Sequence, residues 1–153
     1  ALKKAIKEKF SRENNLTYAL DQISVGTGGK QVLYNAFMAT LNPGDEVIIP
    51  APYWVSYPDM VLLAGGKPKI VKCSEKNEFK ITPAELRKAI SKKTKWLIIN
   101  SPSNHTGSCY TKEEIQELSK ILIKNKKVFI LLRLNSAMYV GPVTEISSDP
   151  SEP

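Results

Sequence analysis

Three segments of this 153-residue sequence combine residue types that could bind a ligand, and the first is the glycine turn GTGGK at residues 26–30. It joins a predicted strand to a predicted helix. Bare backbone amides and the helix dipole at such a junction attract anions, and glycine lets a phosphate approach the backbone closely. Neither the P-loop nor the dinucleotide fingerprint matches, because both need a different residue at Gln31. The turn is a candidate phosphate site, and a turn that serves only packing explains these residues equally well.

The second segment is a group of aromatic residues that follows the predicted strand 46–49. Tyr53, Trp54 and Tyr57 lie within five residues of one another. At the end of a strand, such side chains could form a stacking wall for a planar ring. Packing in the core is the better interpretation for Tyr53 and Tyr57, whereas the two interpretations are balanced for Trp54.

The third segment is the polar loop NSPSNHTG at residues 100–107, which follows another predicted strand. Loops of this kind commonly turn a side-chain amide toward a ligand, although Asn, Pro and Gly also simply build turns. His105 is the only histidine, and it has neither a Ser/His/Asp order nor a carboxylate partner in the sequence, so we assign it no catalytic role. Cys73 and Cys109 belong to no CxxC or Cys/His cluster, so neither a metal site nor a disulfide is predicted.

The elements that position these loops alternate along the chain. Apolar runs predict the strands. The helices between them are predicted from apolar residues at helical spacing, or from a threonine that is followed by proline or has a glutamate three residues later. The predicted strands are residues 22–25, 46–49, 69–73, 96–100 and 128–132, and the predicted helices are 1–12, 30–41, 54–64 and those capped by Thr82 and Thr111. Strands joined by helices indicate an α/β fold with a doubly wound, mostly parallel sheet. In such a sheet ligands bind at the carboxyl ends of the strands, where the three loops lie.

Composition limits the classes of partner. The chain has 22 basic and 15 acidic residues, a net charge of +7. Only three of the basic residues are arginine, and the lysines are spread over predicted helix faces and turns, so a solvated surface is favoured over a nucleic-acid site. The apolar stretches are far shorter than the roughly 20 residues of a membrane span, and no signal peptide opens the chain. We therefore predict no nucleic-acid or membrane partner and a cytoplasmic location.

The two ends of the sequence differ from its middle. The first helix lacks an N-cap residue, which indicates either that the chain opens inside a larger protein or that an initiator methionine was removed. Residues 1–133 contain all 22 basic residues, whereas the last 20 contain three acidic residues and no basic one. Ser, Pro and acidic residues then dominate the C-terminal end, which cannot bury enough apolar surface to order itself. Residues 132–153 are therefore predicted to be a divergent, disordered tail.

Five motifs together resemble a known family. In order they are GTGGKQ, NPGDEVIIPAPYWVSYP, AGGKP, TKWLIINSPSNHTG and YTKEEI. Their order and spacing resemble the class I pyridoxal-phosphate aminotransferases, and most of all the bacterial aspartate branch, some members of which also use prephenate. The resemblance covers residues 1–131. It implies a three-layer fold type I transferase domain in which this segment is an incomplete, cofactor-binding large domain.

The resemblance also implies roles for the three loops. Gly28, Gly29 and Lys30 match the family turn that binds the phosphate of pyridoxal phosphate. Trp54 matches the aromatic residue that stacks on the pyridine ring, and Asn104 matches the asparagine that donates to the ring hydroxyl. In the family, Trp54 and Asn104 would also contact the substrate, an amino acid or a 2-oxo acid, and the enzyme would be a homodimer.

The sequence departs from the family at two places. His105 replaces a family proline, which would change the orientation of Asn104. After the last predicted strand, residues 132–136 read LRLNS where the family has an acidic motif with the aspartate that pairs with the pyridine nitrogen. The lysine that binds the cofactor covalently and the arginine that binds the substrate carboxylate are also missing.

These departures decide the expected function. No residue is assigned a catalytic role, and we predict a truncated aminotransferase that does not catalyse transamination as an isolated chain. The alternative is a non-catalytic interaction protein, such as a split-gene half that assembles with a complementary or full-length aminotransferase subunit.

Overall fold

The computed structural model describes residues 1–134 and 137–141, with the side chains of residues 1–132. Five helices and five strands are assigned in these ranges. The helices are α1 (Leu2–Asn14), α2 (Gly29–Thr40), α3 (Ser56–Leu63), α4 (Pro83–Ala89) and α5 (Lys112–Ile123). The strands are β1 (Glu46–Ala51), β2 (Lys67–Lys72), β3 (Thr94–Asn100), β4 (Phe129–Leu134) and β5 (Ala137–Gly141). No helix in these ranges is long and apolar enough to cross a membrane.

The strands form one sheet with the order β2-β1-β3-β4-β5. The pairs β2/β1, β1/β3 and β3/β4 are parallel, and only β5 runs antiparallel to its neighbour. A parallel pair needs a crossover connection, which α3, α4 and α5 provide. The prediction of an α/β fold with a doubly wound, mostly parallel sheet is confirmed.

Helices cover both faces of this sheet, so the fold has three layers. On one face the helices α2 and α3 pack on the strands, through Leu33, Phe37, Tyr57, Val61, Val47, Ile49, Trp96 and Ile98 among others. On the other face α4 and α5 pack on the strands, through Leu86, Leu118, Leu122, Ile48, Leu97 and Ile99 among others. Alternate residues of one strand thus enter two separate cores, because successive side chains of a strand point to opposite faces.

The predicted helix starts at Thr82 and Thr111 are capping boxes. Thr82 Oγ1 accepts from the backbone N–H of Glu85 at 3.3 Å, and Thr111 Oγ1 accepts from that of Glu114 at 3.2 Å. Each glutamate accepts in return from the backbone N–H of its threonine, at 2.8 Å in both cases. These reciprocal bonds satisfy amides that the first turn of a helix leaves without an internal partner.

The prediction of a strand at residues 22–25 is wrong. A 3₁₀ turn occupies Leu20–Gln22, and the side chain of Gln22 accepts from the backbone N–H of Ala19 at 2.7 Å. Ile23 continues in an extended conformation and is buried, but the residues that follow it are exposed and pair with no strand of the sheet. One buried residue is too little to make this segment a strand, since a strand needs a backbone partner as well as an apolar side chain.

The prediction of a disordered tail from residue 132 is wrong for the part that the structure describes. Residues 132–134 complete β4, and β5 pairs with it in the register Leu132↔Tyr139. This pairing supplies backbone hydrogen bonds to a strand that would otherwise be an open edge. Residues 142–153, for which disorder was also predicted, lie outside the described residues.

Lys80 is an exception among the lysines because its side chain is buried. It forms ion pairs with Glu78 and Glu114, each with an N···O distance of 2.7 Å. Its hydrogen bonds to Glu114 and Glu78 raise the pKa of the Lys80 ammonium group. Burial acts to raise the pKa of Glu114, but the hydrogen bonds from Lys80 and from the Thr111 backbone, together with the charge of Lys80, outweigh it and lower that pKa. The pair fixes the segment after β2 to the start of α5.

Alkaline pH should destabilise the chain through two buried groups. Burial raises the pKa of the Cys73 thiol from 9.0 to about 11 and that of the Tyr110 hydroxyl from 10.0 to about 12. A pKa raised in the folded state gives stability that is complete below the unfolded pKa and is lost as pH rises toward the folded value. The free energy of unfolding, measured with urea, should therefore fall by on the order of 1 kcal/mol per pH unit above about pH 9.

The variant Cys73→Ala should show a shallower alkaline decline than the wild type, because it removes one of the two groups. Cys109→Ala, at an exposed position, is the matched control. Parallel declines in the wild type and in Cys73→Ala would contradict the assignment of the decline to this thiol.

Candidate functional site

The three loops meet at one cleft beside the carboxyl ends of β1 and β3. Its volume is about 280 Å³, and it is lined by Gly29, Lys30, Leu33, Trp54, Tyr57, Asn104 and Leu131. Four of the five residues predicted to bind a cofactor are in this lining. The fifth, Gly28, precedes Gly29 and forms the N-cap of α2.

The glycine turn brings the start of α2 to the cleft. Gly28 has φ 95° and ψ 158°, and its own backbone N–H donates to Gly26 O at 2.9 Å. The N-cap is a glycine and has no side-chain hydrogen bond, so Gly28 offers no capping oxygen to the first amides of α2. Amides in this position, at the positive end of a helix dipole, suit a phosphate or carboxylate.

Trp54 forms an aromatic wall of the cleft. It is half-buried and packs edge to face on Tyr57, with ring centroids 5.4 Å apart and an interplanar angle of 90°. Lys30 Nζ lies 4.7 Å from the centroid of the Trp54 ring. Tyr57 is buried in the core, as predicted, and its ring packs against Trp54. Tyr53, for which core packing was also predicted, is half-buried. A planar ligand in the cleft would meet one flat aromatic surface and one cation.

Asn104 enters the cleft from the loop after β3. The side-chain oxygen of Asn100 accepts from the backbone N–H of Asn104 at 2.9 Å, and the side-chain amides of the two residues are in contact. The replacement of the family proline by His105 was expected to change the orientation of Asn104, and in the structure Asn104 still lines the cleft. His105 itself lines a neighbouring cavity of about 30 Å³, which shares Trp54 and Tyr57 with the cleft. Within residues 1–134 and 137–141, no group of three or more His, Cys, Asp or Glu residues could hold a metal ion.

Comparison with known proteins identifies the family of this chain. The family described as aminotransferase class I and II matches residues 1–132. The chain belongs to this family. This match confirms the resemblance to class I aminotransferases drawn from the sequence motifs, and its aspartate branch is confirmed by relatives named aspartate or aspartate/prephenate aminotransferase.

Curated relatives match closely but over a limited length. The aspartate/prephenate aminotransferase of Cereibacter sphaeroides is 61% identical over 130 residues, which are 85% of this chain and 32% of that protein. The aspartate aminotransferase of Rhizobium meliloti is 49% identical over 131 residues, again 32% of its length. The chain thus spans about a third of the length of these aminotransferases.

Solved aminotransferase structures share the fold. The aspartate aminotransferase from Rhizobium meliloti superposes with a TM-score of 0.85 at 44% identity, covering 94% of this chain and 38% of the other. The enzyme from Thermus thermophilus with maleate gives a TM-score of 0.80 at 33% identity, covering 98% and 49%. The three-layer transferase architecture is therefore confirmed, and the chain contains only part of it.

Several residues at the site of this aminotransferase segment carry no sequence signal of their own. Leu33 lines the cleft from α2, and the helical spacing of apolar residues does not distinguish a residue under a cleft from one in the core. Leu131 could be predicted only as a core residue of its strand. Asn100 and Gln31 contact site residues through side-chain amides, and a carboxamide that bonds to a neighbouring loop has no sequence pattern of its own.

Proposed function

We propose that this chain is the cofactor-binding part of an aspartate aminotransferase, and that the cleft between α2, Trp54 and Asn104 binds pyridoxal phosphate. Members of the class I and II family depend on pyridoxal phosphate. The observation that supports the proposal most directly is the convergence of Gly29, Lys30, Trp54 and Asn104 on one cleft. The names of the relatives favour aspartate, and for one of them also prephenate, as substrates of the whole enzyme.

The residues of the cleft fit the chemical groups of this cofactor. The amides of Gly29 and Lys30 at the uncapped start of α2 would hold the phosphate. The half-buried face of Trp54 would lie against the ring, and the amide of Asn104 would bond the ring hydroxyl. When bound, pyridoxal phosphate draws electrons from the bonds at the α-carbon of an amino acid. The chain's own residues bind and orient that group.

We further propose that the 153 residues do not catalyse transamination alone. Residues 132–136 read LRLNS and contain no acid to hold a proton on the ring nitrogen. No lysine of the chain matches the family position that binds the cofactor covalently and moves the proton during the reaction. The described residues therefore supply binding and orientation, but no general base at the α-carbon.

The test is an assay of the purified chain with pyridoxal phosphate, aspartate and 2-oxoglutarate. We expect saturable binding of pyridoxal phosphate and no turnover above that of the free cofactor. Turnover would overturn the proposed incompetence, and a lack of saturable binding would overturn the proposed cofactor site. Trp54→Ala should weaken binding by about three- to tenfold, whereas Trp54→Phe, which keeps an aromatic face, should retain most of it.

A second function, assembly with another polypeptide, is favoured by the surface of α1. This helix has no buried residue, and Leu2 is 61% exposed. Leu2, Ile6 and Phe10 lie at helical spacing on α1, and an apolar stripe that the described residues cover only in part suits contact with another chain. The partner would be a complementary or full-length aminotransferase chain in the cytoplasm, and the enzyme that such a partner belongs to would be a homodimer, as expected for the family. Copurification with a chain that supplies the missing segments, together with restored turnover, would support this function, and its absence would contradict it.

A further inference from the structure

A single side chain, that of Gln31, holds the glycine turn of the site through two hydrogen bonds to Thr27, which we call the clasp. Its Oε1 accepts from the backbone N–H of Thr27 at 2.7 Å and from Thr27 Oγ1 at 2.9 Å. Thr27 and Gln31 flank residues 28–30. The clasp therefore closes a short loop around the residues that bring the start of α2 to the cleft.

Gln31 is the third residue of α2, the position from which a glutamine usually bonds back to the N-cap. Here the N-cap is Gly28, whose backbone N–H is already bonded to Gly26 O. Gln31 reaches one residue further, to Thr27. A capping side chain usually has two tasks, to fix the path of the chain and to satisfy the first amides of the helix. At the start of α2 these two tasks are separate.

The first task is to fix the path of the chain, and Gln31 does so through Thr27. The second is to satisfy the first amides of the helix, which a serine, threonine or aspartate at the N-cap would do with its own oxygen. Thr82 and Thr111 do this at the starts of α4 and α5. Gly28 has no side chain for it, so the turn is held in place while the helix amides keep their donors for a ligand.

Gly26 makes room for this clasp. A Cβ at Gly26 would lie 2.9 Å from Gln31 Oε1 and 2.8 Å from Val32 Cγ2, distances that require one of them to move. Any larger residue at this position would push the carboxamide away from Thr27. The absence of a side chain at Gly26 and the presence of one at Gln31 are therefore parts of the same arrangement.

We propose that Gln31 is a positioning residue that holds the glycine turn in its anion-binding conformation and so sets the affinity for the phosphate of pyridoxal phosphate. The proposal rests on the proposed function of the cleft and adds to it a residue that does not line the cleft. Gln31 acts on the ligand through the backbone of Gly28 and Gly29. A loss of the clasp should thus affect the phosphate and leave the contacts of the ring unchanged.

The test compares Gln31→Ala with the wild-type chain in two measurements. The first is the hydrogen exchange rate of the Thr27 amide, which should rise when its acceptor is removed. The second is the affinity for pyridoxal phosphate and for pyridoxal, which lacks the phosphate. We expect affinity for pyridoxal phosphate to fall about fivefold, as for the loss of a helix cap, and affinity for pyridoxal to stay the same.

Three further variants separate the clasp from other effects. Gly26→Ala should reproduce both changes without altering Gln31 itself. Gln31→Glu keeps an acceptor for the Thr27 amide, so the slow exchange should persist. Gln116→Ala, an exposed glutamine of α5, is the matched control and should change neither measurement.

Each outcome decides the proposal. Equal affinity for pyridoxal phosphate in Gln31→Ala and the wild type would overturn it while the proposed function stands. An equal loss of affinity for pyridoxal phosphate and pyridoxal would also overturn it, because it indicates a general loss of structure. If the wild type binds inorganic phosphate but not pyridoxal phosphate, the proposed function fails. If Gln31→Ala then binds inorganic phosphate more weakly than the wild type, the role of Gln31 in positioning an anion stands. If the wild type binds neither anion, both fail.

Discussion

Replacing Gly28 with alanine is expected to weaken binding of pyridoxal phosphate at least about tenfold. The backbone of Gly28, with φ 95° and ψ 158°, is in a region that is essentially restricted to glycine. A Cβ at this position would meet no atom within 4 Å, so the cost is conformational and not steric crowding. A residue forced into such a region costs on the order of 1–3 kcal/mol. The chain escapes this cost only by changing the backbone angles at residue 28, which shifts the turn relative to the first amides of α2.

A second glycine provides a matched control for this prediction. Gly44 has φ 93° in the turn between α2 and β1, and a Cβ there would also meet nothing within 4 Å. Gly44→Ala should therefore lower thermal stability about as much as Gly28→Ala but leave the titration with pyridoxal phosphate unchanged. If both variants lose affinity equally, general destabilisation explains the loss, and the role assigned to Gly28 is wrong.

The parts of the fold that could be predicted from the sequence depend on local, repeated physical requirements. The runs at residues 47–49 and 96–99 are buried on both faces, so they are apolar without alternation, as strands covered by two layers of helices must be. Thr82 and Thr111 start helices because their side chains satisfy amides only three residues away. The site loops could be located for a related reason, since glycine, aromatic and amide residues directly after strands lie at one edge of a parallel sheet.

The parts that could not be predicted depend on partners distant in sequence or on a single rotamer. Residues 22–25 have an apolar pattern, but whether they form a strand is decided by a neighbouring backbone that no local pattern reveals. The strand β5 depends in the same way on the open edge of β4. Asn100 and Gln31 contribute through one carboxamide each, and its orientation depends on the loop that it contacts.

A large effect on stability is expected at Trp96, which connects the helix α2 to the sheet. Trp96 is fully buried in β3, with its ring centroid 5.4 Å from that of Phe37 and 5.3 Å from that of Phe129. Its Nε1 donates to Thr40 Oγ1 at 3.0 Å, at the far end of α2 from the glycine turn. Trp96→Ala removes both the aromatic packing and the polar contact. The free energy of unfolding, measured with urea and circular dichroism, should fall by about 3–5 kcal/mol.

The hydrogen bond can be separated from the packing by a double-mutant cycle with Thr40. Thr40→Val leaves the indole N–H buried without its acceptor, which should cost about 1–3 kcal/mol. Trp96→Phe removes the donor and part of the ring. In the double variant neither partner is left unsatisfied, so its loss should be smaller than the sum of the two single losses. If the losses in the free energy of unfolding are strictly additive, Trp96 and Thr40 are not coupled. Apolar packing alone would then connect β3 to α2 at this point. Because α2 positions the glycine turn at its other end, a measured coupling would also predict weaker phosphate binding in Thr40→Val, although Thr40 does not line the cleft.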